Sequence, residues 1–507
     1  MPTNQIKLGG ILSYVSLGLS NILAIIYTPF LLRMMGQSEY GLYSLVLSVV
    51  AYLSLMDFGF AAALVRYITL YKSRNETEKL PSLLGMFISL YSVIGFVCFI
   101  VGISLYFSTD GIFGSSLTAV ELEKARLMIL IIVIYLSISF PFSIFGAIIT
   151  ANEKFIFQKI LAILRSIITP VLMIPLLFMG YKSVAMASIA VIVGILINVA
   201  NVWFCYSKIK IEISFKKFDF LLLREIFWFS LFVFLKIILE RIYWSSGQFI
   251  LGATLGTISV AIFSIALQMK GYYESFSQAI GNLFLPRLTA MVWNKDSKIL
   301  ISETFIKVGR LQFHIIGFIL CVYFLIGEKF IVLWAGNNYI SAYEISLFIM
   351  VPYTIPLIQS LGYLLAQAYN VQKPLIIIFF ISTVLTISLS FLLIDSHGAI
   401  GCAIALAIAI IVGEVLIMNW FYWKKLKINI PLFWKEILKI SAVMFIVTLV
   451  SSFFVSAFEV KSLSALALYV LCFSIIYFPL IYVIAMNTYE RNLILSFFNI
   501  LKFKGTK

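Results

Sequence analysis

The sequence predicts an all-α integral membrane protein with about fourteen transmembrane helices. Of its 507 residues, 62% are hydrophobic and only 12% are charged, whereas soluble domains carry about a quarter charged residues. Apolar runs recur along the whole chain, and each is roughly 20 residues long, enough to cross the ~30 Å hydrocarbon core of a bilayer. The stretches between these runs are too short for a soluble domain, which indicates one membrane-embedded unit.

Hydropathy places the predicted helix starts along the entire chain. We expect an N-terminal six-helix bundle (1–206), a basic cytoplasmic linker (207–224), a second six-helix bundle (225–423), and a final segment (424–507) with two C-terminal helices and a cytoplasmic tail. The N-terminal segment lacks a small-residue cleavage site, so the first helix is expected to be retained. The starts lie near Gly10, Gly41, Ser82, Leu127, Gln158, Ser183, Glu225, Thr257, Glu303, Ile340, Pro374, Ala399, Ile437 and Leu463.

The formal net charge of +15 indicates membrane topology rather than a nucleic-acid partner. If the N-terminus lies in the cytoplasm and the helices alternate, about 28 Lys and Arg residues fall in inner segments and 6 in outer segments. An excess of basic residues on the cytoplasmic side is typical of membrane proteins. Because the predicted helix number is even, we expect both termini to be cytoplasmic. The outer set comprises Arg33, Lys124, Arg126, Lys182, Lys329 and Lys461.

Residues suited to catalysis or metal binding are scarce. Neither of the two histidines, His314 and His397, has a ligand-like neighbour in the sequence, and no HExxH, CxxC, Walker or GxGxxG pattern occurs. The five cysteines lie in apolar segments without close spacing and are expected to be buried hydrophobic residues. We therefore expect no metal, no cofactor and no bond chemistry.

An internal repeat relates the two predicted bundles. The segment LLRMMGQSEYGLYSL (Leu31–Leu45) aligns without gaps with LGATLGTISVAIFSI (Leu251–Ile265), so that Gly36 matches Gly256 and Gly41 matches Ala261. Six helices separate the copies, so both have the same orientation in the membrane. Parallel repeats of this kind are typical of transporters, with the substrate site near mid-bilayer. Chance similarity between apolar helix ends is the alternative explanation.

Several charged residues are predicted to lie deep in the bilayer, where charges are costly and usually functional. A rise of ~1.5 Å per residue places most of them roughly 18 to 27 Å from the outer ends of their helices. They are Lys236, Glu240 and Arg241 in the seventh helix, Lys270 and Glu274 in the eighth, Asp57 in the second and Glu414 in the twelfth.

A polar stripe follows one face of the eighth helix, with Lys270 and Glu274 along its edge. A helix that faces lipid would not carry such a stripe. The seventh and eighth helices are therefore expected to line a wet cavity or to pack on each other. The stripe comprises Ser264, Gln268, Gly271, Ser275, Gln278 and Asn282.

Two interpretations of the deep charges remain open in the sequence. Each lysine has a glutamate four residues later, the spacing of a helical ion pair, so the charges could serve packing alone. Alternatively, three bases outnumber two acids on the seventh and eighth helices, and the spare positive charge suits an anionic substrate. Asp57 and Glu414 could instead bind a cation as substrate or carry a coupling proton.

Prolines interrupt two of the predicted helices. Pro170 and Pro175 lie in the fifth helix, and Pro352 and Pro356 lie in the tenth. Proline removes a backbone donor and kinks a helix. Such kinks serve either as hinges for a moving bundle or as fixed bends that aid packing.

Specific sequence similarity to a known family is concentrated in the first two helices and in the seventh and eighth. It lies in FLLRMMGQSEYGLYSL, MDFGFAAALVRY, GQFILGATLGTISVAIFSIALQM and NLFLPRL. These segments resemble the polysaccharide-repeat-unit flippases (Wzx-type) of the multidrug/oligosaccharidyl-lipid/polysaccharide exporter superfamily. The resemblance implies a V-shaped pair of six-helix bundles plus two helices. It also implies transfer of an undecaprenyl-pyrophosphate-linked oligosaccharide from the inner to the outer leaflet by alternating access.

The resemblance further implies a set of substrate-binding residues. The family's basic central cavity maps onto three bases of the seventh and eighth helices, and two arginines match motif positions at the ends of the first helix pair. Relatives often carry an acidic residue where this chain has Gly247-Gln248, so an ion-coupling role does not carry over to that position. The set comprises Lys236, Arg241, Lys270, Arg33 and Arg66.

Together these observations predict a flippase for surface-polysaccharide synthesis in a bacterial plasma membrane. Expected partners are a lipid-linked oligosaccharide, membrane lipids and other surface-polysaccharide assembly proteins, with coupling to a proton or sodium gradient. One alternative is a multidrug or small-molecule exporter of the same fold. A membrane-embedded glycan polymerase is less favoured, because the longest outer loop (Ser108–Arg126) is short and contains no histidine.

Overall fold

The chain is all-helical in the computed structural model, which describes residues 2–216, 218–294, 297–369, 371, 373–455, 462–493 and 495. Over these residues every regular element is a helix and none is a strand. The N-terminal elements are α1 (Pro2–Met35), α2 (Gln37–Leu53), a 3₁₀ turn (Ser54–Asp57), α3 (Phe60–Ser73), a 3₁₀ turn (Thr77–Lys79), α4 (Leu80–Phe113), α5 (Ala119–Ala151), α6 (Phe155–Phe178), α7 (Ser183–Phe204) and a π-helical turn (Cys205–Ile209).

The remaining elements begin after an extended linker. They are α8 (Phe220–Thr254), α9 (Thr257–Trp293), α10 (Lys298–Ala335), a 3₁₀ turn (Asn337–Tyr339), α11 (Ser341–Ile358), α12 (Ser360–Ala368), α13 (Lys373–Ala409), a π-helical segment (Ile410–Ile417), α14 (Met418–Lys424), α15 (Ile430–Val455), α16 (Leu463–Leu480) and a π-helical turn (Ile481–Ala485). The predicted seventh and eighth helices are α8 and α9.

Each predicted helix start falls inside an observed helix or next to one, but several helices begin earlier than hydropathy indicates. α5 begins at Ala119 rather than near Leu127, because Thr118 and Glu121 form a capping box. The Thr118 hydroxyl accepts from the Glu121 N–H, and the Glu121 carboxylate accepts from the Thr118 N–H at 2.9 Å. Hydropathy does not register such charged first turns.

Eleven helices in the described part of the chain are long and apolar enough to cross a membrane. One of them, Lys373–Lys424, is 52 residues long and contains the predicted eleventh and twelfth helices. The helices α8 and α9, which carry five of the predicted deep charges, are not among the eleven. The chain is thus a multi-pass membrane protein, and the count of fourteen crossings stays a prediction.

Two predicted helices are broken internally, and one observed helix bends between two predicted ones. The second is split into α2 and α3 by a turn in which Phe58 has φ 51° and Gly59 has φ 71°. The tenth is split into α11 and α12 at Gln359, shortly after Pro356. In α13, Gly398 has φ 55° and ψ −133°, which separates the predicted eleventh and twelfth helices.

The chain divides into two compact units. Unit 1 contains Met1–Ser264 and Thr386–Cys402, and unit 2 contains Ile265–Leu385 and Ala403–Lys507. The divisions therefore fall within α9 and α13, whereas the sequence predicts bundles that begin and end between helices. The predicted boundaries at 206, 225 and 423 stay a prediction.

Unit 1 is held together by apolar helix packing. In it α1 packs on α6, α5 packs on α4 and α7, and α8 packs on α2, α3 and α4. One buried cluster joins α1, α6 and α7, and it comprises Leu31, Met35, Met173, Leu177, Ile189 and Val193. Since lipid is as apolar as these side chains, close van der Waals packing rather than escape from water stabilises such contacts.

The repeat is visible in the backbone of unit 1. Gly36 and Gly256 have φ values of 82° and 80°, and each directly precedes a helix, α2 or α9. A Cβ added to Gly41 would overlap the Thr257 carbonyl oxygen and would lie 3.2 Å from the Ala261 Cβ. Gly41 and Ala261 are equivalent positions of the repeat, so a residue contacts its own repeat counterpart.

Unit 2 is built around α10, which packs on α11, α15 and α16. The break between α11 and α12 is supported by buried side chains of neighbouring helices. The Ser277 hydroxyl donates to the Leu357 carbonyl at 2.9 Å, and the Gln312 amide donates to the Ser360 hydroxyl at 2.9 Å. These bonds satisfy backbone and side-chain groups that the interrupted helix would otherwise leave unpaired.

Candidate functional site

Asp57 lies in the break between α2 and α3. Its carboxylate accepts a hydrogen bond from the Tyr91 hydroxyl at 2.6 Å and lies near the backbone N–H groups of Gly59 and Ala61. The carboxylate therefore lies at the N-terminal end of α3, where the unpaired backbone N–H groups favour a negative charge. This geometry gives Asp57 a structural role in the break, and nothing in it requires a bound cation.

The break also contacts α8 close to its deep charges. The ring of Phe58, a residue with left-handed backbone, packs on Phe234 with centroids 4.4 Å apart. Lys236 follows on the same helix, with its Nζ 3.8 Å from the Glu240 carboxylate, and Arg241 is exposed. Unit 1 thus brings the Asp57 break near the start of the Lys236–Arg241 segment.

The outer part of α8 packs closely against the start of α9. Tyr243 is buried, and a Cβ on Gly247 would lie 2.9 Å from the Phe263 ring. Gln248 donates to the Ser264 hydroxyl at 2.8 Å, which joins α8 to the first residue of the predicted stripe. This part of the pair therefore packs, the second of the two predicted arrangements.

Arg33 and Arg66 occupy other parts of unit 1. Arg33 is exposed in the last turn of α1, where a cation interacts favourably with the carbonyl end of the helix. Arg66 is exposed on α3 and lines an open cavity of about 680 Å³, which Leu222 and Glu225 border from the first turns of α8. The cavity beside Arg66 therefore adjoins the start of α8 rather than the Lys236–Arg241 segment.

Lys270 belongs to a compact assembly within unit 2. Its Nζ is 2.7 Å from the Glu274 carboxylate and lies over the Tyr353 ring, 4.5 Å from the centroid. The Tyr353 hydroxyl and the Gln278 amide both donate to the other Glu274 oxygen, at 3.0 and 2.9 Å. Glu274 thus accepts from three donors on two helices.

Burial makes this ion pair different from the one on α8. The side chains of Lys270 and Glu274 are 10% and 24% exposed, against 21% and 47% for Lys236 and Glu240. A shorter, less exposed pair interacts through a lower dielectric and is stronger. Lys270 is therefore held more firmly than Lys236.

Glu414 lies in the π-helical segment Ile410–Ile417 and is 8% exposed. Its neighbour Gly413 allows a close approach to α13, because a Cβ there would overlap the Ser382 hydroxyl oxygen. π-helical segments are rare and frequently occur at functional sites. No group of three or more His, Cys, Asp or Glu side chains among the described residues is arranged to hold a metal ion.

The predicted site residues therefore fall into separate groups. Unit 1 holds Asp57, the α8 charges and the two motif arginines, and unit 2 holds the Lys270 assembly and Glu414. The prediction that all of them share one polar space is not tested within either unit, and it stays a prediction.

Sequence reasoning misses a buried ion cluster in unit 2. The Arg310 guanidinium donates to both Glu490 oxygens at 2.7 and 2.8 Å and to the Glu436 carboxylate at 2.7 Å. His314 also contacts Glu490, at 3.3 Å. By its charge alone, Arg310 is one of several basic residues in an inner segment. Its acidic partners come from distant parts of the chain, so the sequence offers no signal for this cluster.

Sequence reasoning also misses Tyr353, although a signal is present. It is an aromatic hydroxyl between Pro352 and Pro356, where the chain is already irregular. Pairing it with Lys270 needs the fold, because the two positions lie on helices that are not consecutive in the chain.

Comparison with known proteins identifies the family. The family model described as "Polysaccharide biosynthesis protein" matches residues 7–291, which is more than half of the chain. The chain belongs to this family. A relative from Shigella flexneri, named "Putative O-antigen transporter", is 24% identical over 405 residues, covering 79% of this chain and 94% of that protein. "Uncharacterized membrane protein EpsK" of Bacillus subtilis (strain 168) is 23% identical over 412 residues, covering 78% and 79%.

Solved structures share the fold of this polysaccharide biosynthesis protein. "Lipid II flippase MurJ, inward closed conformation" aligns with a TM-score of 0.70 and 19% identity, covering 94% of this chain and 99% of that chain. An inward-facing multidrug resistance transporter of the MATE family, from the MOP superfamily, aligns with a TM-score of 0.61 and 14% identity, covering 83% and 96%. At these identities the similarity concerns the fold.

These comparisons confirm the predicted all-α fold and the resemblance to proteins of polysaccharide biosynthesis, and the solved structures of a flippase and of MATE transporters share the fold. They also confirm the expectation of a membrane transporter for polysaccharide biosynthesis rather than an enzyme, since the Shigella flexneri relative is named as a transporter and the solved structures as a flippase and a transporter.

Proposed function

We propose that this polysaccharide biosynthesis protein moves an undecaprenyl-pyrophosphate-linked oligosaccharide from the inner to the outer leaflet of a bacterial plasma membrane. The observation that carries the proposal is the Lys270–Glu274–Tyr353 assembly, a charged, hydroxyl-bearing group in the interior of an apolar membrane protein. Ionisable residues at such depth usually mark a substrate pathway. The Shigella flexneri relative, an O-antigen transporter by name, supports a glycan as the cargo.

The energetic problem of this transfer lies in the head group. Each methylene of a prenyl chain is stabilised in hydrocarbon by about 0.8 kcal/mol, so the tail can stay in lipid throughout. Sugar hydroxyls and pyrophosphate lose hydrogen bonds to water on entering hydrocarbon, at several kcal/mol per group. A protein that offers polar side chains along the path removes most of that cost.

The deep bases are the proposed partners of the pyrophosphate. Arg241 is exposed and carries a planar guanidinium group that suits phosphate. Lys236 and Lys270 each contact a glutamate, so an incoming phosphate exchanges with a carboxylate rather than meeting a bare cation. Such an exchange would make substrate binding loosen an internal ion pair, which is a route to alternating access.

Coupling to a proton or sodium gradient is part of the proposal. Glu414 is the acid that fits this role better, because it is buried in a π-helical segment that packs closely on α13. Asp57 fits it less well, since its carboxylate accepts from the Tyr91 hydroxyl and lies at the N-terminal end of α3.

The orientation is proposed from the charge distribution. About 28 basic residues on the inner side against 6 on the outer side support cytoplasmic termini and entry of the substrate from the cytoplasmic leaflet. Other surface-polysaccharide assembly proteins are proposed as partners before and after this step.

The test is to deplete the protein and identify the lipid-linked sugars in each leaflet. We expect one lipid-linked oligosaccharide to accumulate in the cytoplasmic leaflet while surface glycan is lost. Intact surface glycan, together with new sensitivity to drugs, would contradict the proposal and would favour a small-molecule exporter of the same fold.

A further inference from the structure

One face of α9 presents polar groups in addition to the Lys270–Glu274 ion pair. The α9 stripe, defined here as the part of the predicted stripe that lies in unit 2, follows i, i+3, i+7, i+10 and i+14 spacing on one helix face. Three of its members are exposed and two are half-buried. They are Gln268, Gly271, Ser275, Gln278 and Asn282.

Open space adjoins the middle of the stripe. Gly271 is exposed, and a Cβ added there would meet nothing within 4 Å. With a rise of ~1.5 Å per residue, Gly271 lies roughly 21 Å below the start of α9 at Thr257, within hydrocarbon depth. Amide and hydroxyl groups that face lipid at such depth cost several kcal/mol each. The part of the stripe from Gln268 to Ser275, which lies roughly 16 to 27 Å below Thr257 by the same rise, therefore faces water or a polar ligand.

The stripe is electrically neutral. Between Gln268 and Asn282 the only charged residues are Lys270 and Glu274, which pair with each other at 2.7 Å. Lys270 lies behind the stripe, 8% exposed and covered by the Tyr353 ring. The groups presented to the open space are thus amides and a hydroxyl rather than a cation.

Aromatic residues flank the same face. Tyr272 accepts a hydrogen bond from Gln268 at 2.7 Å, and Phe276, one turn further on, is 52% exposed. Binding sites for uncharged ligands typically combine apolar and aromatic surface with a few polar groups that fix orientation. Neutral amides and hydroxyls beside exposed rings suit a ligand that has many hydroxyl groups and little charge.

We propose that the α9 stripe binds the sugar portion of the transported lipid, and that the pyrophosphate is held by other residues. The inference rests on the proposed function and refines it, because it separates glycan recognition from phosphate recognition. Gly271 provides the room, and the amides of Gln268, Gln278 and Asn282 exchange hydrogen bonds with sugar hydroxyls.

The test compares two lipids on the purified full chain. One probe is the lipid-linked glycan extracted from cells depleted of the protein, and the other is undecaprenyl pyrophosphate without sugar. We expect Gly271→Leu, which fills the opening, to weaken binding of the glycan-bearing lipid at least tenfold. Asn282→Leu, which removes an exposed amide, should act in the same direction. Affinity for undecaprenyl pyrophosphate should stay within twofold, which also shows that the variants fold.

Gly111→Leu is the matched control, because Gly111 is also an exposed helical glycine with nothing within 4 Å of an added Cβ. Unchanged glycan affinity in Gly271→Leu and Asn282→Leu, or an equal loss for both lipids, would overturn the inference. If depletion yields no accumulated lipid-linked glycan, the proposed function itself fails, and that outcome is seen before either variant is made.

Discussion

Arg310 uses its whole guanidinium inside unit 2. Besides the bonds to Glu490 and Glu436, it donates to the Ala485 carbonyl at 2.9 Å and to the Glu436 carbonyl at 3.4 Å. Among the basic side chains, only arginine has five donors in a planar arrangement. One side chain of α10 thereby fixes α15 and the segment that follows α16.

Arg310→Met should therefore strongly destabilise the protein. Removing one partner of a buried ion pair leaves an uncompensated charge and typically costs about 3–5 kcal/mol. Thermal unfolding in detergent is the measurement. Lys307→Met on the same helix is the matched control, since the Lys307–Glu303 pair is about half exposed and such pairs contribute about 0–1 kcal/mol. Equal destabilisation by both substitutions would contradict the expectation.

Glu490 should make the thermal stability of the protein depend on pH in the acidic range. Burial alone would raise the pKa of this carboxyl, but hydrogen bonds from His314, Arg310 and the Asn487 N–H outweigh it and lower the pKa from 4.5 to about 2. A carboxyl group whose pKa is lower in the folded state than in the unfolded state stabilises the fold at pH values above its unfolded-state pKa. This stabilisation is lost as the pH falls through the folded-state pKa. We expect the thermal midpoint of the native chain to fall more steeply than that of Glu490→Gln as the pH drops from about 5 to about 3, and parallel profiles would count against this.

Lys270→Ala should impair transport without preventing membrane insertion. The substitution removes the proposed charge-assisted hydrogen bond from Lys270 to the pyrophosphate, worth about 1.5–3 kcal/mol. This corresponds to roughly a 10- to 100-fold loss of affinity for the substrate. Lys236→Ala should act in the same direction but less strongly, because its ion pair is longer and more exposed. Surface glycan and membrane abundance are the measurements, with Lys307→Ala as control. Normal surface glycan in Lys270→Ala would remove Lys270 from the site.

At the scale of helices, hydropathy locates the apolar centre of each element but not its ends or breaks. Ends such as Ala119 depend on caps, and the break after Leu53 depends on the left-handed backbone of Phe58 and Gly59. Periodicity predicts the i, i+4 ion pairs of α8 and α9, since both partners lie on one helix. It cannot pair Lys270 with Tyr353, because that contact depends on how α9 and α11 pack.

Gly256 gives a direct test of the turn between α8 and α9. Its φ of 80° disfavours any side chain, and an added Cβ would also lie 2.7 Å from the Ser116 carbonyl oxygen. Gly256→Ala should destabilise the protein by about 1–2 kcal/mol. Gly111→Ala should be neutral or stabilising by up to about 1 kcal/mol, because alanine favours helix. The thermal midpoint of Gly256→Ala should therefore fall while that of Gly111→Ala stays unchanged or rises, and an equal fall in both variants would argue against the turn geometry.

At the scale of the whole molecule, composition and charge distribution are sufficient for the fold class. The repeat can be recognised in the sequence because Gly36 and Gly256 occupy a backbone conformation that favours glycine. The division into two units cannot be predicted from the sequence, since it falls within the helices α9 and α13. It depends on which helices pack together, and uniformly apolar helices carry little sequence information about their neighbours.

The predicted orientation can be tested by cysteine labelling. In a chain whose five native cysteines are replaced by alanine, Lys216→Cys should react with a membrane-impermeant maleimide only after the cells are opened. Glu123→Cys, at the start of α5, should react in intact cells. Both positions are exposed. The reverse pattern would place the termini outside and would contradict entry of the substrate from the cytoplasmic leaflet.

The contact between Gly41 and Ala261 has a consequence for ancestry. When a position touches its own counterpart, both lie beside a twofold axis, and in a dimer of identical halves the same residue would have to face itself. A Cβ added to Gly41 would lie 3.2 Å from the Ala261 Cβ, so only a very small side chain could face its own copy at this position. A glycine and an alanine are thus the pair expected at the axis of an ancestral homodimer after gene duplication. One copy could gain a methyl group there only if the other copy remained glycine.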